Sequence, residues 1–81
     1  MTVTIHFWAH LKDITKAESI SRNLEVNSSI SDLLTLVYEQ YPKLTEWDKS
    51  ILIANGTEYA QRGDLLQDGD IISLMPPVQG G

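Results

Sequence analysis

The first apolar pattern in the chain has period two. In Val3-Thr4-Ile5-His6-Phe7-Trp8, the residues Val3, Ile5 and Phe7 share one face and Thr4, His6 and Trp8 the other, which predicts a strand. Residues 10–18 are mixed and polar and read as a loop. A weaker strand is expected from Ile20 to Val26, with Ile20, Leu24 and Val26 on one face; Arg22 interrupts that face and places the strand near an edge. From Ile30 the period changes. Ile30, Leu33, Leu34, Val37 and Tyr41 form one helical stripe, Ser29 and Asp32 fit a Ser-x-x-Asp capping pattern, and Pro42 is a stop. The expected helix is Ile30 to Gln40.

Lys43 to Ser50 is polar except for Leu44 and Trp47 and reads as a connecting loop. Ile51 to Ala54 is a short apolar strand, Asn55-Gly56 a hairpin turn, and Thr57 to Ala60 the return strand. Asp64 to Asp70 looks like one helical turn followed by a tight Asp-Gly turn. Ile71 to Met75 is nearly all apolar, as expected of a central strand covered on both faces, and Pro76-Pro77 ends it. The order of these elements implies an α+β layer pair, a mixed sheet of four to five strands packed on one main helix, with the first and last strands parallel in the middle. That arrangement is the ubiquitin-like β-grasp. It divides the chain into a body over residues 1–75 and a tail over 76–81.

Composition narrows the function classes. The net charge of −5 disfavours nucleic-acid binding and suits a partner with a basic surface. The chain has no cysteine, so neither disulfides nor a thiol nucleophile are available to it. Met1 to His6 lacks a signal-peptide pattern, and no apolar run approaches the roughly 20 residues of a membrane span, so a cytoplasmic protein is expected. His6 and His10 are four apart without a completing metal ligand and read as surface or loop histidines. Asp64, Asp68 and Asp70 form an acidic cluster read as near the tail; it fits either a basic partner surface or turn chemistry. No phosphate loop, Ser/His/Asp set or convincing carboxylate pair appears, so a free-standing enzyme is not expected.

The remaining chemistry lies in Pro76-Pro77-Val78-Gln79-Gly80-Gly81. Prolines stiffen the base, and an extended tail of this length reaches roughly 20 Å. The last two residues carry no side chain, which lets the backbone thread a narrow pocket. The group presented at the tip is the carboxylate of Gly81. Activated as an anhydride with AMP, it becomes an electrophile that a sulfur donor converts to a thiocarboxylate.

The segment Asp68-Gly69-Asp70-Ile71-Ile72-Ser73-Leu74-Met75-Pro76-Pro77-Val78-Gln79-Gly80-Gly81 closely resembles the end of the small, sulfur-carrier subunits of molybdopterin synthase. Ile5-His6-Phe7-Trp8-Ala9 is similar to that family's first strand and Asn55-Gly56-Thr57 to its hairpin; residues 10–50 match in pattern only. The resemblance implies adenylation at Gly81 by an ATP-dependent activating enzyme, with AMP held only transiently and no permanent cofactor. It implies a Gly81 thiocarboxylate that donates sulfur to cyclic pyranopterin monophosphate inside the large synthase subunit, in a heterotetramer whose catalytic residues belong to that large subunit. Trp8 and Met75, with Pro76, Pro77, Val78 and Gln79 leading to Gly80 and Gly81, are the implied partner contacts. Glu58 stands where relatives tend to have an apolar residue. A thiazole-synthesis sulfur carrier and a ubiquitin-like protein modifier would use the same tail and stand as alternatives.

Overall fold

The structure, a computed structural model, describes residues 1–77. Its strands are β1 (Thr2–Phe7), β2 (Ser19–Asn23), β3 (Leu52–Asn55), β4 (Glu58–Tyr59) and β5 (Ile71–Met75). Its helices are α1 (His10–Thr15) and α2 (Ile30–Gln40), followed by a 3₁₀ segment over Pro42–Ser50. The strands form one mixed sheet in the order β2-β1-β5-β3-β4. β1 and β5 run parallel at its centre, with Ile5 opposite Ile72 and Phe7 opposite Leu74. This is the α+β β-grasp arrangement that the element order implies.

α2 forms where its residues demand it. The Ser29 hydroxyl accepts from the Asp32 N–H at 3.2 Å, and the Asp32 carboxylate accepts from the Ser29 N–H at 2.9 Å. This reciprocal cap satisfies two donors that the first turn leaves free. Tyr41, just before Pro42, leaves helical geometry at φ −128°, ψ 75°. The buried stripe Ile30, Leu33, Leu34 and Val37 meets Val3, Ile5 and Phe7 of β1, Ile72 and Leu74 of β5 and Ile53 of β3 in one core. Fully burying each such side chain contributes roughly 1.5–3 kcal/mol, which makes this layer contact the main stabilising feature of the fold.

Several expectations are corrected. Residues 10–15 are the helix α1, held because Leu11 and Thr15 are buried on one side of it. β2 ends at Asn23, and Val26 is exposed, because Asn27 at φ 74° turns the chain toward α2. β2 is an edge strand, as the interrupting Arg22 implies. Lys43 to Ser50 lies within the 3₁₀ segment, anchored by the buried Leu44. The hairpin register is Asn55 opposite Glu58, so the two turn residues are Gly56 and Thr57. Gly56 at φ 62° takes the first turn position, where a II′ hairpin needs glycine.

Asp64 to Gln67 is extended instead of helical. Leu65 bridges Ser29, and the Leu66 N–H donates to the Ser28 carbonyl at 2.8 Å while its side chain enters the core. The tight turn at Asp68-Gly69 is present, with Gly69 at φ 87°. β5 is central, but only one of its faces is covered: Ile72 and Leu74 are buried, whereas Ile71 is 49% exposed.

Candidate functional site

The uncovered side of the sheet is built by strand alternation. Ile5, Phe7, Ile72, Leu74 and Ile53 point toward α2, so their neighbours point away from it. The registers then set His6 beside Ser73, Ser73 beside Ala54, and Ala54 beside Tyr59 across four strands. One step along, Leu52 is opposite Met75. Trp8 follows Phe7 and comes alongside Met75 at the end of β5, its N–H donating to the Leu74 carbonyl at 3.1 Å. Trp8 is 52% exposed and Tyr59 78% exposed. Trp8, Ala54, Tyr59, Ser73 and Met75 line an open depression of about 300 Å³.

The structure thus brings Trp8 and Met75 together, as the sequence reading expects, at the point where the chain leaves the sheet. Met75 is half-buried and closes β5; Pro76 and Pro77 follow it outside the strand. Val78, Gln79, Gly80 and Gly81 lie outside the described residues. Tyr59 and Ile71 are the large apolar members of this face that the sequence reading missed. The signal was available: in the return strand, Tyr59 falls on the same parity as Ala54 and Leu52 once the strands are paired. Glu58 lies opposite Asn55, on the other parity.

No Asp, Glu, Lys or Arg occupies an outward position on the five strands: the charged strand residues, Arg22 and Glu58, pair with Val3 and Asn55 on the α2 side. The acidity of the chain is therefore carried elsewhere. Asp68 and Asp70 precede β5 and lie about 16 Å from its far end, by five residues at strand rise. They do not border the base of the tail at Pro76 and Pro77, which corrects the sequence reading. Their carboxylates are already engaged: Asp68 accepts from the Thr2 N–H of β1 at 2.7 Å, and Asp70 accepts from the Gln67 N–H of its own turn at 2.8 Å and the Asn55 amide of β3 at 3.0 Å. Asp64 accepts from the Gln61 N–H at 2.9 Å in a separate turn.

His6 faces outward on β1, while His10 opens α1 half-buried, its ring 4.5 Å from that of Trp47. His10 is thus a packed residue, because burial of Leu11 draws the head of α1 onto the 3₁₀ segment. Among the described residues, no three His, Cys, Asp or Glu side chains are grouped to hold a metal ion. No described helix is long and apolar enough to cross a membrane.

The perturbed titratable groups lie on the other side of the sheet. The Tyr38 hydroxyl donates to Asp48 at 2.6 Å, and Arg62 contacts the same carboxylate at 2.8 Å. Burial first, then the Asp48 carboxylate, pushes the Tyr38 phenol well above its ordinary range. The Tyr38 hydrogen bond, with Arg62 adding to it, holds Asp48 below the ordinary carboxylate range. This cluster ties α2 to the 3₁₀ segment and to the loop before β5. It is remote from the face beside the tail and serves to hold the fold.

A family model described as the ThiS family matches residues 5–81. The chain belongs to the ThiS family. Over 84 residues it is 31% identical to the molybdopterin synthase sulfur carrier subunit of Homo sapiens, with 98% of this chain and 93% of that protein covered. Among solved structures, SAMP1 from Haloferax volcanii superposes with a TM-score of 0.88 at 21% identity, covering both chains fully, and shows the shared fold. A chain of the complex of subunits 1 and 2 of the molybdopterin-converting factor from Helicobacter pylori superposes with a TM-score of 0.74 at 29% identity, again with both chains fully covered. The small-subunit resemblance read from this ThiS-family chain's own residues therefore stands.

Proposed function

We propose that this protein is a sulfur carrier in molybdenum cofactor biosynthesis, with residues 1–75 as its body, 76–81 as its tail and the Gly81 carboxylate as its working group. The full-length match to the human molybdopterin synthase sulfur carrier subunit carries this reading. In the proposed cycle the Gly81 carboxylate attacks the α-phosphate of ATP on an activating enzyme, forming an acyl-adenylate and releasing pyrophosphate. A sulfur donor displaces AMP and leaves the thiocarboxylate. The thiocarboxylate then gives its sulfur to cyclic pyranopterin monophosphate within the large synthase subunit, and hydrolysis returns the carboxylate. AMP is a transient substituent on this chain, Gly80 admits the tip to narrow pockets, and the catalytic side chains belong to the partners.

The uncharged outer face, with Trp8, Tyr59 and Met75 exposed or half-exposed, supports a docking role around the tail's base. Exposed aromatics and methionine are enriched at protein interfaces. Pro76, Pro77, Val78 and Gln79 would continue that contact into the large subunit, in a cytoplasmic heterotetramer. The decisive measurement is intact mass after co-expression with an adenylating enzyme and a sulfur source. A gain equal to sulfur replacing one oxygen, mapped to Gly81, is expected. No gain with an activating enzyme shown to work on another carrier overturns the reading, and conjugates at higher mass on a denaturing gel would instead indicate a protein modifier.

A further inference from the structure

β1 turns into α1 within two residues, Trp8 and Ala9, and the second is strained. Ala9 has φ 52° and ψ −134°. The Leu11 N–H donates to the Trp8 carbonyl at 3.1 Å, closing a four-residue turn from Trp8 to Leu11 with Ala9 in its first central position. These angles are those of a II′ turn, where glycine is the usual occupant because a Cβ crowds the backbone. The Ala9 side chain is itself exposed, so packing of its methyl does not account for the conformation.

The corner has two consequences. It sends Leu11, fully buried, into the core three residues after the exposed Trp8. It also follows directly on the end of β1 at Phe7, with the N–H and carbonyl of Trp8 both engaged, by Leu74 and Leu11 respectively. Trp8 is thereby kept at the end of β5, where it lines the same depression as Met75. A corner relaxed to negative φ would redirect either Leu11 out of the core or Trp8 away from Met75.

We infer that Ala9 is a positioning residue for partner docking, its left-handed corner holding Trp8 in the orientation that the large synthase subunit receives. This inference rests on the docking role of the outer face proposed above. It is tested by a double-mutant cycle on the full chain, with the dissociation constant for the cognate large subunit measured by calorimetry and folding checked by circular dichroism. Trp8→Ala is expected to weaken binding about tenfold or more, as for a buried aromatic anchor. Ala9→Val, which disfavours positive φ, is expected to weaken it by a comparable factor. The double variant is expected to bind no more weakly than Trp8→Ala alone, because both changes remove the same contact. Ala9→Gly, which adopts the corner freely, should bind as the unaltered chain does.

Two results overturn the inference while leaving docking intact: Trp8→Ala weakens binding and Ala9→Val does not, or the two factors multiply in the double variant. No effect of Trp8→Ala overturns the docking role and the inference together. Should Ala9→Val fail to fold, Ala9→Leu, which is not branched at Cβ, takes its place in the cycle.

Discussion

If the Ala9 corner is strained, replacing the alanine by glycine stabilises the protein. A non-glycine residue held in a sparsely populated backbone region costs on the order of 1–3 kcal/mol. Ala9 sits at φ 52°, ψ −134° with an exposed methyl, so Ala9→Gly removes that cost without opening a cavity. Against this, glycine loses more freedom on folding, roughly 0.5–1 kcal/mol relative to alanine. The difference is a net stabilisation of about 1 kcal/mol. For a domain of this size that corresponds to a rise in Tm of roughly 4–8 °C. The assay is urea and thermal unfolding followed by circular dichroism. The urea midpoint should rise with an unchanged slope, since the surface exposed on unfolding is the same. Gly69→Ala is the mirror experiment. Gly69 is at φ 87°, and an added Cβ meets nothing within 4 Å, so its cost is purely conformational and should be about 1 kcal/mol in the opposite direction. An unchanged or lowered midpoint for Ala9→Gly, with Gly69→Ala behaving as expected, would refute the strain argument.

Leu33→Ala, in the fully buried stripe of α2, should cost about 2–5 kcal/mol and threaten folding at physiological temperature, as read by the urea midpoint. Asp48 has a folded pKa below its unfolded one, so its contribution is fully present above the ordinary carboxylate range and is lost as pH falls through the folded value. Tyr38→Phe removes the main cause of that shift. The gap in urea midpoint between the unaltered chain and this variant should therefore be larger at neutral pH than in acid below both pKa values; a gap that widens in acid contradicts the assignment. Because no charged residue faces outward on the sheet, the dissociation constant for the large subunit should change only a few-fold between low and high salt, whereas a steep dependence would place the contact on the acidic surface instead.

α2 was legible to the residue because three independent signals agree there: a reciprocal cap, a stripe of period 3.6 and a terminating proline. α1 and the 3₁₀ segment were not, because each is anchored by only one or two buried residues, Leu11 and Thr15 in the first and Leu44 in the second. So few anchors do not establish a period. The aspartates near β5 show a related failure. Asp68 and Asp70 are neighbours in sequence, but a strand of five residues separates them from the base of the tail, and the Thr2, Gln67 and Asn55 donors already engage their carboxylates.

The most instructive difference is at Ile71 to Met75. A run of apolar residues reads as a strand covered twice, and alternation alone does not tell whether the second cover belongs to the same chain. Here α2 covers one face, and among the described residues nothing covers the other, which keeps Trp8, Tyr59, Ile71 and Met75 exposed or half-exposed. An uncovered apolar face on a small acidic domain favours self-association unless something offsets it. The polar positions Thr4, His6 and Ser73 interrupt the apolar ones on this face, and the net charge of −5 repels like copies. The same two features permit a partner to dock. Apolar contact would supply the attraction, the absence of outward-facing strand charges removes a desolvation cost from the centre of the contact, and acidic residues at a distance discourage the wrong occupant, a second copy of the chain.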